Sequence, residues 1–122
     1  MGYRSVSVSL EDALMAIKQI KDFTVQISSL EEYLQKDMVQ RAVESGLEII
    51  AEAIKNAFAV DPQLPISNQK KIIGLRNLIK HVYYEINHEI IWKIVKNDLP
   101  ILEEEIKNIL ADFERKLELN EL

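Results

Sequence analysis

Apolar residues recur at three- and four-residue intervals along almost the whole chain, the spacing that lines one face of an α-helix. Leu10, Ala13, Leu14, Ile17, Ile20, Thr24 and Ile27 define a first amphipathic helix, with Ser9 placed to cap it. Ser28 followed by Glu31 has the form of a capping box, so a helix starts or restarts there and covers Leu30 to Leu34. Asp37 offers another start. The stripe Val39, Val43, Leu47, Ile50, Ile54 and Ala57 then describes one long central helix from Met38 to about Phe58. Pro62 and Pro65 break the pattern, and DPQLPISN reads as a linker whose last polar residues can cap the next helix. Ile72, Leu75, Ile79, Val82 and Ile86 mark that helix, interrupted at Asn87, with Gly74 expected where another backbone packs closely. His88 to Val95 predicts a short helix that is apolar on nearly all sides. Asp98, with Pro100 in the first turn, starts a last helix along Leu102, Ile106, Ile109, Phe113 and Leu117.

These elements imply an all-α fold, an up-and-down bundle of four to five helices. Composition points the same way, since three Gly and three Pro are too few for the turns of a sandwich or barrel. With 122 residues, 48% of them hydrophobic, the chain suits one domain over residues 1–122 built on one core. Apolar runs such as Ile90 to Trp92 are far shorter than the ~20 residues of a spanning helix. MGYRSVSVSLEDAL lacks the apolar stretch of an export signal. The expectation is a cytoplasmic protein with no membrane partner. The absence of cysteine removes disulfides, thiolate chemistry and cysteine zinc sites, and only two histidines remain as imidazole ligands. Glu31/Glu32 and Glu103 to Glu105 read as solvated faces, so neither a metal site nor a cofactor is expected.

Charge changes the picture more than composition does. A net charge of −5 repels nucleic acid as an average, yet Pro62 to Tyr84 contains no Asp or Glu. Lys70, Lys71, Arg76 and Lys80 give that segment +4 and leave −9 for the rest. The same segment carries an Arg/His/Tyr cluster. At ~100° per residue, Asn77 and His81 are i,i+4 neighbours, so the amide can hold the imidazole, with Lys70 and Tyr84 on the same side. Arg76 and Tyr83 lie within about 20° of one another, whereas Arg76 and His81 are ~140° apart. Two copies of the helix facing each other across a two-fold axis would bring His81 of one chain to Arg76 of the other. Such a cleft suits cleavage of an RNA phosphodiester: the imidazole moves a proton and the guanidinium holds the phosphate through its transition state, without a metal.

GLRNLIKHVYYEI, with DMVQRAVESGLEIIAEA upstream and IIWKIVKNDLPILEEEI downstream, resembles the HepT-like toxins of the HEPN superfamily. Their signature is Arg, a polar residue, three variable residues, His, any residue and Tyr. Arg76, Asn77, Leu78, Ile79, Lys80, His81, Val82 and Tyr83 fill it position by position. The resemblance runs from about Asp37 to Ile109. It implies an all-helical homodimer in which Arg76 and His81 form a metal-independent endoribonuclease site, supported by Asn77. Such toxins act on RNA of the translation machinery, tRNA or mRNA. It also implies a minimal nucleotidyltransferase antitoxin that transfers AMP to the signature tyrosine, here Tyr83. Lys70, Lys71, Lys80 and Tyr84 are the expected RNA contacts. The chain departs from the pattern at Ala51-Glu52-Ala53, where many relatives have Gly-Glu-Ala, and at Val82, where many have a polar or acidic residue; many also lack Lys80.

A second function remains open at this level: a non-catalytic helical module that binds a nucleotidyltransferase and helps present nucleotide or substrate. His88 is expected to be a capping or surface residue and Trp92 a core or subunit-interface residue.

Overall fold

The computed structural model describes residues 2–80 and 86–120, with Lys80 described for its backbone only. Helix α1, Gly2–Thr24, runs antiparallel to α3, Asp37–Val60, so that Gly2 lies beside Val60 and Ile20 beside Gly46. The short α2, Leu30–Leu34, links them. After the proline-containing linker come α4, Gln69–Ile73, and α5, Leu75–Lys80, and both pack on α3. Helix α6, His88–Lys93, passes through one π-helical turn, Ile94–Asp98, into α7, Leu99–Glu118. With α4–α5 taken as one broken helix and α6–α7 as one run, the described residues form five helices and no strand, the expected all-α bundle.

The apolar stripes account for this packing. Val6, Leu10, Ala13, Ile17 and Ile20 of α1 meet Val43, Leu47, Ile50, Ile54 and Ala57 of α3, all nearly or fully buried. Ile91, Leu102 and Ile106 of the α6–α7 run and Leu75 of α5 close the same core. Leu64 and Ile66 pin the linker to it. No described helix is long and apolar enough to cross a membrane.

Several boundaries differ from the sequence reading, each for a local reason. Ser9 does not cap α1, because Val6 continues the buried stripe one turn before Leu10 and the helix reaches back to Gly2. The capping box sits one residue later than expected. The Glu32 amide donates to Ser29 Oγ at 3.1 Å, and the Ser28 amide donates to Glu32 Oε2 at 3.4 Å. The Ser-Ser and Glu-Glu pairs make the two registers indistinguishable in sequence. The helix expected over Ile72 to Ile86 is broken at Gly74, while Val82 lies outside the described residues. A Cβ on Gly74 would stand 3.0 Å from the carbonyl oxygen of Lys70, so the preceding turn, not another helix, crowds this glycine. Asn68 enters α4 in the left-handed region, φ 56°, and makes no side-chain cap.

Asp98 stands at the N-cap position of α7 with Pro100 in its first turn, as expected, but its side chain makes no cap hydrogen bond and no loop separates α7 from the π turn. Pro100 has no N–H to donate and its ring crowds the carbonyl four residues back, and the wider π turn carries the chain past that conflict without a break.

One ion pair ties α1 to α7. Lys21 Nζ lies 2.8 Å from Glu103 Oε1, with Lys107 3.7 Å from the other carboxylate oxygen. Glu103 is buried, and its hydrogen bond from Lys21 holds its carboxyl below the usual range against the opposing effect of burial. A carboxylate with a depressed folded-state pKa stabilises the fold above its unfolded value, and that contribution disappears as the pH falls through the folded value. Lys21→Ala is therefore expected to cost about 1–2 kcal/mol at pH 7, below the loss for a fully buried pair because Lys21 is largely exposed and Lys107 remains. Urea denaturation should show the difference from the parent chain shrinking below pH ~4. A pH-independent difference would assign the loss to packing.

Candidate functional site

The expected site residues fall on α4, α5 and the segment after them. Arg76 and Asn77 stand in the first turn of α5, and both are exposed. Lys70 and Lys71 are exposed on α4, and Lys80 ends α5. His81, Tyr83 and Tyr84 lie outside the described residues. The break at Gly74 restarts the helical register, so angles measured from Ile72 do not carry into α5, while the spacing from Arg76 onward is unaffected by it.

Arg76 projects over α3, where its Nη1 donates a hydrogen bond to Glu52 Oε2 at 3.1 Å. Both side chains are about half exposed, 47% for Arg76 and 49% for Glu52. The pair borders an open groove of about 390 Å³ between α1 and α3, where, among the described residues, Asp12, Glu48 and Glu52 are the acids and Arg76 the one base. Ser9, Ser45 and Asn56 supply neutral polar groups, and Ile49 supplies an apolar patch. One Glu52 contact occupies a single N–H of the guanidinium, which has five, so several donors remain for an anion.

The basic segment is less polarised in three dimensions than in sequence. Lys71 Nζ pairs with Asp98 Oδ2 at 2.8 Å and Arg76 pairs with Glu52, so acids from other elements offset the charges of Lys71 and Arg76. Lys70 stays exposed beside them.

A second polar cluster lies at the start of α6. The Asn87 side chain accepts from the Ile90 amide at 3.1 Å and starts α6. His88, expected as a cap or surface residue, is partly buried instead. Its Nδ1 has no hydrogen-bond partner and lies 3.7 Å from Glu44 Oε2 on α3. Burial pushes the Glu44 carboxyl up, while the charges of His88 and Arg41 pull it back. Tyr33, fully buried, stacks on Trp92 at 4.9 Å and meets His88 edge-on at 6.3 Å. Burial, and then the Glu44 charge, push its phenol up, so the unpartnered hydroxyl stays neutral. Trp92 is thus a core residue, as one of its two expected places allows.

Glu44 and Glu52 are eight residues apart on α3, ~12 Å along its axis. Glu52 accepts a hydrogen bond from Arg76, and Glu44 stands 3.7 Å from His88. Neither carboxylate was singled out by pattern, because partners 44 and 24 residues away leave no periodic trace. The one signal for Glu52 was its place in the Gly-Glu-Ala position of the resemblance.

The family model described as "Ribonuclease HepT-like" matches residues 13–109 of this chain. "Putative RNase MJ0127" of Methanocaldococcus jannaschii is 38% identical over 118 residues, covering 93% of this chain and 94% of that protein. "Putative RNase MJ1380" of the same organism is 36% identical over 110 residues, 88% of this chain and 98% of that one. "Probable ribonuclease HepT" of Thermococcus cleftensis is 35% identical over 103 residues, 81% and 90% of the two chains. No solved structure matches the chain significantly. With the signature filled, its arginine at an open groove, and a family model spanning most of the helical bundle, the chain belongs to the ribonuclease HepT-like family.

Proposed function

We propose that this protein is the toxin of a toxin–antitoxin pair, a metal-independent endoribonuclease that cuts tRNA or mRNA in the cytoplasm. The observation that carries this reading is Arg76, held at the rim of an open groove with guanidinium donors to spare, in a chain of the ribonuclease HepT-like family. Arg76 binds the scissile phosphate and offsets the charge that builds on it. His81 takes the proton from the 2′-hydroxyl, whose oxygen attacks phosphorus and expels the 5′-oxygen, leaving a 2′,3′-cyclic phosphate; the leaving oxygen takes a proton from water, and His81 later returns its own to solvent. Asn77 orients the imidazole. Lys70, Lys71, Lys80 and Tyr84 hold the flanking RNA. The ~140° between Arg76 and His81 on an ideal helix makes the working unit a homodimer with sites shared between protomers.

The test is incubation of the purified chain with transfer RNA and messenger RNA in EDTA. The parent chain is expected to cleave, and His81→Ala to cut at least ~10²-fold more slowly. One observation favours the alternative, a non-catalytic module that binds a nucleotidyltransferase: three acids share the groove with Arg76, a poor environment for a polyanion. That reading predicts no cleavage by the parent chain and retained nucleotidyltransferase binding.

Tyr83 is the proposed control point, accepting AMP from the nucleotidyltransferase antitoxin. On a helix it lies within about 20° of Arg76, so an added phosphodiester brings negative charge and bulk beside the phosphate-binding guanidinium. Tyr83→Phe should keep cleavage and escape the AMP mass increment, whereas Tyr84→Phe should still acquire it. Intact-mass spectrometry after incubation with the antitoxin and ATP reads this directly, and an adduct on Tyr83→Phe would move the modification elsewhere.

A further inference from the structure

The strongest unexplained contact around the signature is a carboxylate touching the proposed phosphate-binding guanidinium. A negative charge beside a phosphate site weakens substrate binding, so Glu52 works against RNA affinity. As a stabilising element it is also poor, because an exposed ion pair between half-exposed side chains contributes little to a fold. What the contact does supply is geometry. Arg76 stands one residue into a six-residue helix that follows the break at Gly74, and its side chain crosses open groove to reach α3. Left alone, a long half-exposed arginine samples many rotamers, and few of them point the guanidinium at one place.

Glu52 is anchored more firmly than the group it holds. It sits in the interior of the 24-residue α3, with Ala51, Ala53 and Ile54 all buried against the core beside it. The bond is monodentate, through Nη1, so the carboxylate fixes one corner of the guanidinium and leaves other N–H groups for an anion.

We propose that Glu52 is a positioning residue for Arg76, holding the guanidinium from α3 in the orientation that receives a phosphate. The role rests on the ribonuclease reading for its consequence and on the α3–α5 contact for its existence. Two substitutions separate geometry from charge. Glu52→Gln keeps a carbonyl oxygen to accept from Nη1 and removes the negative charge. Glu52→Ala removes both.

If Glu52 positions Arg76, Glu52→Ala lowers kcat by about 10- to 100-fold with no rise in KM, the scale expected when a reacting group is misplaced. Glu52→Gln restores kcat to within a few-fold of the parent and lowers KM, because the acceptor remains and the repulsion is gone. If Glu52 were only an electrostatic brake, both variants would lower KM and leave kcat unchanged, and the proposal would fall. If it were only structural, kcat would track a fall in melting temperature in both variants, which would equally overturn the proposal. A readout independent of cleavage keeps the ribonuclease reading and this proposal apart. In NMR spectra of the parent chain, the Arg76 guanidinium nitrogens should show slowed rotation, retained in Glu52→Gln and lost in Glu52→Ala. Slowed rotation with no RNA cleavage by the parent overturns the ribonuclease reading alone, and free rotation in the parent overturns the proposal.

Discussion

A mixture of Arg76→Ala and His81→Ala chains, unfolded together and refolded, is expected to recover about a quarter of parental RNA cleavage. Alone, each variant should fall by ~10²-fold or more, since one loses the charge-stabilising donor and the other the proton carrier. If each site takes Arg76 from one protomer and His81 from the other, a mixed dimer has one site with both residues altered and one with both intact. Random pairing makes half the dimers mixed, each with one working site of two. Sites contained within one protomer would give no recovery, because every chain in the mixture lacks one of the two groups. Arg76 is well placed for the experiment: it is half exposed and bonded only to Glu52 among the described contacts, so its truncation should leave the melting temperature nearly unchanged. Full activity from a stable monomer would exclude the shared site.

The largest effect on stability is expected at Gly46. This glycine lies buried on the face of α3 against α1, and a Cβ there would stand 2.8 Å from both Cδ1 and Cγ1 of Ile20. Ile20 is itself buried and cannot swing into solvent. Gly46→Ala gains ~1 kcal/mol of helix propensity but forces α1 and α3 apart or Ile20 out of its rotamer, for a net loss of about 1 kcal/mol. Gly46→Leu adds three further carbons to the same contact and should cost about 3 kcal/mol or more. Ile20→Ala removes both clashing atoms. Combined with Gly46→Ala it should cost less than the two single losses together, because the new methyl enters the space the isoleucine vacated. Urea denaturation of the parent, the two single variants and the double variant gives the coupling, and strict additivity would show that the helices do not meet as closely as the structure places them.

Gly46 also illustrates where sequence reading stops. The stripe Val43, Leu47, Ile50 and Ile54 identified the buried face of α3, and the glycine lies on that face, but no periodic signal says which glycine another helix approaches. The expectation attached to Gly74 instead, whose environment is its own preceding turn. The π turn at Ile94–Asp98 is a similar case. Pro100 marked the first turn of a new helix, and α7 starts there with Asp98 at its N-cap, but the sequence did not show that α6 runs into it through a widened turn, with Ile91, Ile94, Val95 and Leu99 buried in the core.

Local features were legible in the chain before folding. Periods of three and four residues specify helices and their apolar faces, proline positions specify the linker, and the run Arg76 to Tyr83 specifies the family, because each signal lies within a few turns of contiguous chain. Which carboxylates meet which cations was settled only in three dimensions. Lys71 finds Asp98, Arg76 finds Glu52 and His88 approaches Glu44 only after α4, α5 and α6 have docked on their neighbours. Apolar burial drives that docking, and the charged groups go wherever the core places them, so a pair separated by 24 residues has no expression in the spacing of either member.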